Sequence, residues 1–162
     1  MKKKIIFING SINAGKSTVA QLLSEKLGRT AILEVDRLRD CISWMPLEDS
    51  IGINLENTCS LIRNFVRHDI NVVIPYPLSQ RNYEFVINLL NNIDAQMFFF
   101  TLDPTLKIAM SSRGKRKLTT YEVERINYHY EIGIHKPSFG TIINNTNETP
   151  EETVEKIISR LT

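Results

Sequence analysis

The residues best suited to chemistry lie near the start of the chain, in the stretch FINGSINAGKST at positions 7–18. Its glycines, lysine and serine have the spacing G-x-x-x-x-G-K-[ST]. The glycines allow a tight turn that brings backbone N–H groups onto phosphate oxygens, Lys16 can reach terminal phosphates, and the Ser17 hydroxyl is a natural ligand for Mg²⁺. We therefore expect a nucleotide-phosphate site formed by Gly10, Ser11, Ile12, Asn13, Ala14, Gly15, Lys16, Ser17 and Thr18.

A second polar group follows the second predicted strand, in the stretch LEVDRLRD. This stretch places Asp36 at the carboxyl end of that strand, at the edge where ligands gather in doubly wound sheets. A carboxylate there can accept a proton from an attacking hydroxyl or organise a metal shell, and it can also cap a helix that begins near Arg37. Arg39, one turn further on, can bind an acidic or phosphorylated acceptor or lie solvated on the surface.

A basic segment, SSRGKRKLTT at positions 111–120, is centred on Gly114. Such a run can be a solvated face. It can also be a lid that closes over a nucleotide, supplies positive charge to the transferring group and excludes water. Arg113 is the candidate catalytic residue of this lid, and Arg125 lies on the helical pattern that follows it.

The elements that must position these residues alternate along the chain. Short β-branched or aromatic runs predict strands over 4–9, 31–35, 71–75, 95–101 and 141–144, and helical spacing of apolar residues separates them. This alternation predicts a parallel sheet with helices on both faces. Residues 44–53, which contain Pro and Gly, predict an ordered excursion over the sheet, where Trp44 and Met45 either line a pocket or fill the core.

Bulk properties narrow the class of protein. At 162 residues, with 42% hydrophobic and 23% charged residues, the chain is expected to form a single domain over 1–162. A net charge of +2 is too small to indicate nucleic acid as a partner. The first apolar run ends at Ile8, too early for a secretory signal, so we expect a cytoplasmic protein without a membrane partner. His68, His129 and His135 lack ligand spacing, so we place them on the surface or in loops and expect no transition-metal site.

Together the motifs GSINAGKST, VDRLR, SSRGKR and IINNTNETPEETVEKI resemble the small P-loop kinases that phosphorylate metabolites or antibiotics, near the shikimate kinase and chloramphenicol phosphotransferase group. The stretch VVIPYPLSQRNYEFVINLL is similar to the tunicamycin resistance type of ATP-binding protein. The resemblance implies a three-layer α/β/α P-loop NTPase fold with five parallel strands in the order 2-3-1-4-5. It also implies ATP with Mg²⁺, a lid over about 111–120, and an acceptor-binding segment over about 37–65.

Residue by residue, the resemblance assigns roles to several positions. Lys16 and Ser17 match the phosphate and metal residues, and Asp36 matches the acidic residue beside the acceptor. Arg113 matches a lid arginine that contacts the nucleotide and the transferring group. Asn145 and Thr146 match positions that pass close to the nucleotide base.

Two positions depart from the pattern of the family. Many P-loop proteins end the third strand with an Asp that holds Mg²⁺ through water, but this chain has Pro75, Tyr76 and Pro77 there. Asp36 must therefore serve the metal, or the metal is bound weakly. Ala109 stands where related kinases often carry an Arg one turn before the lid arginine, so electrostatic help falls to Arg113, Arg116 and Arg125.

Three functions follow as hypotheses. The first is an ATP-dependent kinase that transfers the γ-phosphate to a hydroxyl of a small-molecule acceptor, a metabolite or an antibiotic, with Lys16, Asp36 and Arg113 as its catalytic residues. The second is a nucleoside or nucleotide kinase, in which Arg37, Arg39 and Arg63 would contact a phosphate. The third is a non-catalytic ATP-binding protein that sequesters a toxic ligand.

Overall fold

A parallel sheet forms the centre of the molecule in a computed structural model that describes residues 2–111 and 117–161. Within these residues the strands are β1 (Lys3–Gly10), β2 (Thr30–Ile32), β3 (Asn71–Pro75), β4 (Ala95–Leu102) and β5 (Thr141–Ile143). Every neighbouring pair is parallel, and the order across the sheet is β2-β3-β1-β4-β5. The expected fold class and strand order are confirmed.

Helices cover both faces of this sheet. In the described part of the chain they are α1 (Lys16–Leu27), α2 (Val35–Arg39), α3 (Leu47–Arg67), α4 (Gln80–Leu89), α5 (Leu106–Ala109), α6 (Thr120–Glu131) and α7 (Pro150–Ile158), and a 3-10 helix over Asp40–Ile42 follows α2. Buried residues of α3 and α4 pack with Ile5 and Phe7 on one face, and those of α1 and α7 pack with Ile6 and Ile8 on the other. The result is the expected three-layer α/β/α arrangement.

The middle of β1 is fully buried because both of its neighbours and both helical layers cover it. Ile5, Ile6, Phe7 and Ile8 are all 0% exposed. Consecutive apolar residues of this kind are typical of a strand that is buried on both faces. Since β1 ends at Gly10, the phosphate loop leaves the sheet at its centre, between the two helical layers.

Asn9 fastens the end of β1 to several other segments. Its buried side-chain amide donates to Thr101 Oγ1 at 3.0 Å and to the Ile134 carbonyl at 3.2 Å, and its Oδ1 accepts from the Leu78 backbone N–H at 2.7 Å. Each of these polar groups would cost free energy if it were buried without a partner. Asn9 therefore holds β4 and the segments after β3 and α6 against the strand that carries the phosphate loop.

The second strand is shorter than predicted, and the predicted bounds 31–35 are wrong at their end. Backbone pairing reaches Leu33, whose N–H donates to the Val73 carbonyl at 2.9 Å, and α2 begins at Val35. Val35 is buried against the core formed with α3, and burial is compatible with a helix as well as with a strand. Asp36 therefore lies in the first turn of α2, neither at a strand end nor at the N-cap, which is Glu34.

The predicted excursion over 44–53 is also wrong, because most of it is the start of α3. Pro46 precedes this helix, and Glu48 and Asp49 in its first turn lie near the positive helix end. Ile51 belongs to the same apolar stripe as Leu55 and Ile62, at helical spacing. Trp44 is 78% exposed, so it neither fills the core nor lines the pocket described below.

The basic segment is described only at its ends. Arg113, Gly114 and Arg116 lie outside the described residues, so the lid over 111–120 and the role of Arg113 stay predictions. Described residues resume before α6, which begins with a reciprocal cap: Glu122 N–H donates to Thr119 Oγ1 at 3.2 Å, and Thr119 N–H donates to Glu122 Oε2 at 2.9 Å. Across the described residues, every helix is too short or too polar to cross a lipid bilayer.

Candidate functional site

The phosphate loop has the backbone geometry that its glycines predict. Gly10 has φ +135° and Gly15 has φ +98°, both in the region that side chains rarely adopt, and Asn13 has φ +61°. A Cβ added to Gly10 would lie 2.7 Å from the Leu102 carbonyl oxygen. The loop therefore follows its path only because Gly10 lacks a side chain.

The loop leads directly into the N-terminus of α1. The first turn of α1 contains no acidic residue, so the positive end of this helix is left for an anion. Lys16 Nζ donates to the Ser11 carbonyl at 2.7 Å, which keeps the ammonium group over the loop. Ser17 and Thr18 are exposed in the same turn. The arrangement is suited to binding phosphate groups.

Two asparagines fasten the loop to neighbouring segments. The Asn13 amide donates to the Ala109 carbonyl at 2.7 Å and to the Ser111 carbonyl at 2.9 Å, which ties the loop to the chain just before residues 112–116. Buried Asn145 donates to the Ala14 carbonyl at 3.0 Å, and its Oδ1 lacks a hydrogen-bond partner among the described residues. Asn145 thus lies beside the phosphate loop, and its contact with the nucleotide base stays a prediction.

Thr146 lies differently from Asn145. Its hydroxyl oxygen accepts from the Thr105 backbone N–H at 3.0 Å, so it fastens the end of β5 to the start of α5. The described residues that line the pocket include Asn145 and not Thr146. The predicted nucleotide contact of Thr146 therefore has no support from the pocket.

A cavity of about 880 Å³ opens beside the loop. This volume is near the upper end of the usual range for small-molecule sites, roughly 300–1,000 Å³. Lys16 and Ser17 line it on the loop side, and Asp36 and Arg39 line it from α2. The structure therefore brings together the predicted phosphate residues and the two predicted acceptor residues.

The end of β3 contributes the phenol of Tyr76 near the position where many P-loop proteins carry a metal-binding Asp. Pro75 pairs in register with Ile8, and Pro75, Tyr76 and Pro77 all line the cavity. Burial, with a smaller effect of the Asp36 charge, raises the pKa of Tyr76 to about 12, although Arg125 opposes the shift. Tyr76 therefore keeps its proton at neutral pH and offers the cavity a hydrogen-bond donor.

The acidic and hydroxyl side chains around the cavity determine whether it could bind Mg²⁺. Among the described residues, no cluster of three or more His, Cys, Asp or Glu side chains could hold a metal by itself. Mg²⁺ is commonly bound by one or two protein groups together with nucleotide phosphates and waters. Ser17 and Asp36 both line the cavity and supply such a pair, so the predicted ligands fit an ion held mainly by the nucleotide.

The surface or loop placement expected for His129 is wrong. It lies in α6, is 3% exposed, and lines the cavity. Its Nδ1 is 3.3 Å from Ser11 Oγ, and its Nε2 is 3.4 Å from Arg125 Nη2. Burial, together with the positive charges of Arg125 and Lys16, lowers the pKa of His129 to about 4. In the sequence, only the four-residue spacing of Arg125 and His129 on a helical pattern indicates that these two side chains could meet.

Stability should depend on the protonation of His129. Between its ordinary pKa of 6.5 and about 4, the unfolded chain binds a proton that the folded chain does not. The free energy of unfolding should therefore fall as pH drops through this window. Urea unfolding at about pH 7 and about pH 4.5 should show a smaller difference for His129→Gln than for the wild type. His68→Gln, at an exposed histidine, should retain the wild-type difference, and an unchanged difference in His129→Gln would contradict the assignment.

Comparison with known proteins gives one relative with clear sequence similarity. No protein-family model matches the chain. A protein of Sulfurisphaera tokodaii named "Putative adenylate kinase" is 34% identical over 177 aligned positions, which cover 96% of this chain and 81% of that protein. This identity and coverage show common family membership.

Solved structures are similar at lower identity. The APS kinase of Mycobacterium tuberculosis in complex with AMPPNP and APS has a TM-score of 0.73 at 18% identity, covering 99% of this chain and 98% of that one. The tunicamycin resistance protein of Deinococcus radiodurans has 0.71 at 16%, covering 99% and 96%. A gluconokinase of Sinorhizobium meliloti has 0.68 at 15%, covering 96% and 90%. These likenesses show the P-loop kinase fold.

Proposed function

We propose, from the premise that the chain belongs to the P-loop kinase family of its Sulfurisphaera tokodaii relative, that it transfers the γ-phosphate of ATP to a hydroxyl of a small molecule. One observation carries this proposal. Asp36 lines the same cavity as the phosphate-loop Lys16 and Ser17, so a base for the acceptor and a site for the donor face one space. A kinase of this kind needs both.

The donor side is formed by the phosphate loop and α1. Backbone N–H groups of the loop and the positive helix end would hold the phosphates, and Lys16 would meet the terminal ones. Mg²⁺, bound to the nucleotide and to Ser17 and Asp36, would neutralise charge on the phosphate oxygens. Asn145 lines the cavity on the side of the loop, which supports placing the rest of the nucleotide there.

The acceptor side is formed by α2 and the residues opposite it. The acceptor hydroxyl would attack the γ-phosphorus, the bond to the β–γ bridging oxygen would break, and ADP would leave. The hydroxyl proton would pass to the Asp36 carboxylate and then to solvent. Arg39 and Arg125 line the cavity and would contribute positive charge, and Tyr76 would donate a hydrogen bond.

Asp36→Asn tests this proposal, because the amide keeps the shape of the carboxylate and cannot take a proton. Transfer of labelled γ-phosphate to shikimate-like, nucleoside and antibiotic alcohols should fall by about 10²-fold or more. Affinity for ATP without Mg²⁺, measured by calorimetry, should be unchanged. Asp94→Asn, which removes an exposed carboxylate paired with Lys2, is the matched control and should keep wild-type transfer. Full transfer by Asp36→Asn would overturn the role of Asp36.

A second candidate is a nucleoside monophosphate kinase. The name of the Sulfurisphaera tokodaii relative favours it, and so do Arg39 and Arg125, which line the cavity and could bind an acceptor phosphate. Arg63, expected to help in that case, instead donates to the carbonyl of Leu89, the last residue of α4, at 2.7 Å and to that of Asn91 at 2.8 Å. A phosphate acceptor already carries a nucleophilic oxygen, so Asp36→Asn would then lose only its contact with Mg²⁺, and at saturating Mg²⁺ it should cost less than with an alcohol acceptor. Arg39→Ala would raise the KM of the acceptor and not that of ATP.

The third candidate is sequestration of a ligand without turnover. Pro75 in place of a metal-binding carboxylate supports it, as does the likeness to a tunicamycin resistance protein. ATP binding with no phosphate transfer to any alcohol or nucleoside monophosphate, together with ATP-dependent binding of an antibiotic, would favour this candidate over both kinases.

A further inference from the structure

Two successive hydrogen bonds between three side chains connect the phosphate loop to α6. The Ser11 hydroxyl contacts His129 Nδ1 at 3.3 Å, and His129 Nε2 contacts Arg125 Nη2 at 3.4 Å. Ser11 is 0% exposed and His129 is 3% exposed. Such a connection between a nucleotide-binding loop and a cation in the cavity wall is not needed to fill space, since an apolar side chain would do that equally well.

The direction of the hydrogen bonds follows from the chemistry of arginine. A guanidinium group only donates, so His129 Nε2 must be the unprotonated acceptor. A neutral ring then carries its proton on Nδ1 and donates it to Ser11 Oγ. The charges that act on this ring are those of Arg125 and Lys16, both positive, and they oppose a charged imidazole. The ring is therefore neutral, with one defined tautomer.

Two neutral side chains contact Arg125 and leave its charge uncompensated. The guanidinium carbon lies 5.0 Å from the centre of the Tyr128 ring, and Nη2 contacts His129 Nε2 at 3.4 Å. Within residues 2–111 and 117–161, no carboxylate forms an ion pair with Arg125. Arg125 lines the cavity together with Lys16. Its positive charge is thus oriented by neutral groups and remains available to an anion.

We propose that His129 is a positioning residue, which fixes the Arg125 guanidinium relative to the phosphate loop so that it faces the phosphoryl group during transfer. This inference rests on the proposed phosphotransferase function. It also gives Arg125 a defined role among the arginines of the described residues, because hydrogen bonds through His129 and Ser11 couple its orientation to the loop.

Two substitutions of His129 each keep one of its two hydrogen bonds and remove the other. In His129→Gln the amide oxygen reaches the Nε2 position and can accept from Arg125, whereas in His129→Asn the amide nitrogen reaches only the Nδ1 position and can donate to Ser11. We expect His129→Gln to keep kcat for ADP formation from ATP. His129→Asn should lower kcat by about 10-fold to 100-fold, because Arg125 is no longer held in place. The KM for ATP should change little in His129→Asn, and His68→Gln is the matched control.

A double variant tests whether His129 acts through Arg125. Arg125→Ala should lower kcat at least as much as His129→Asn, and adding His129→Asn to Arg125→Ala should cost nothing further. Equal losses in His129→Gln and His129→Asn, or losses that multiply in the double variant, would overturn the proposal and leave the ring as a packing element.

Ring nitrogen shifts of ¹⁵N-labelled protein give a result that does not need turnover. They should show the proton on His129 Nδ1, and Arg125→Ala should abolish that preference. A proton on Nε2 in the wild type, or a tautomer that is independent of Arg125, would overturn the positioning role. If the wild type turns over no ATP with any acceptor, the proposed function fails, whereas the nitrogen shifts still decide whether His129 is coupled to Arg125.

Discussion

Replacing Lys16 by methionine is expected to lower phosphoryl transfer by about 10³-fold to 10⁵-fold, the range for removing a positive group from a transferring phosphoryl. Methionine keeps the length and most of the volume of lysine, so the change is largely one of charge. Lys16 Nζ contacts the Ser11 carbonyl at 2.7 Å and lies at the cavity, where negative charge would develop during transfer. In a partly closed site such a charge acts through a lower dielectric than in water.

The matched control for Lys16→Met is Lys26→Met, in the last turn of the same helix. Lys26 is exposed, forms an ion pair with Glu155 and does not line the cavity. Its loss should therefore change the free energy of unfolding by at most about 1 kcal/mol and leave phosphoryl transfer unchanged. Both variants are compared by labelled-phosphate transfer and by urea unfolding. Transfer by Lys16→Met within about tenfold of the wild type, in a folded protein, would contradict a role for Lys16 in the chemical step.

The sheet could be predicted from the sequence wherever burial left a clear pattern. Strand β1 has four consecutive apolar residues covered on both faces, and α7 begins with the capping residues Thr149 and Glu152, whose reciprocal hydrogen bonds the structure contains. In each case one local cause determines the element. The strand order, by contrast, came from the family resemblance, because pairing between distant strands leaves no mark in a single sequence.

The errors have a common physical origin, which is that an apolar residue reports burial and not conformation. Val35 is buried in α2, but a buried β-branched residue after Leu33 also favours a strand, and a strand there would place Asp36 at its end. Ile51 is half-buried in α3, although Pro46 and Gly52 on either side of it favour irregular backbone. Pro46 precedes the helix, and Gly52 lies within it.

The site was predicted in part. The phosphate loop has a fixed local spacing, and Asp36 and Arg39 remain in the cavity despite the misplaced strand end. His129 and Ser11 are 118 residues apart, so their contact depends on how α6 packs against the loop. In the sequence, Tyr76 marks only the absence of an acidic residue after the third strand. Its place in the cavity depends on where β3 ends, at Pro75.

Gly10→Ala is expected to destabilise the fold by about 3 kcal/mol or more and to abolish ATP binding. The backbone at Gly10 has φ +135°, and a methyl group there would lie 2.7 Å from the Leu102 carbonyl oxygen. The Gly10 Cα that would carry the methyl and the Leu102 carbonyl both belong to the backbone of neighbouring strands. Neither can move without disturbing the pairing of β1 with β4, where Gly10 lies in register with Leu102. The loop would have to shift, and its N–H groups would lose their alignment on the phosphates.

Two other glycines separate backbone strain from steric contact. Gly28 has φ +58° with open space around the added carbon, so Gly28→Ala should cost about 1–3 kcal/mol from strain alone and leave ATP affinity intact. Gly52 lies in the interior of α3 with open space and no positive φ, so Gly52→Ala should gain up to about 1 kcal/mol. Urea unfolding should show the largest loss for Gly10→Ala, a smaller loss for Gly28→Ala and a small gain for Gly52→Ala, and calorimetry should find weakened ATP binding in Gly10→Ala alone. Equal ATP affinity in Gly10→Ala and Gly28→Ala would show that the loop tolerates the displaced carbonyl, and would remove the close backbone approach as a requirement of the site.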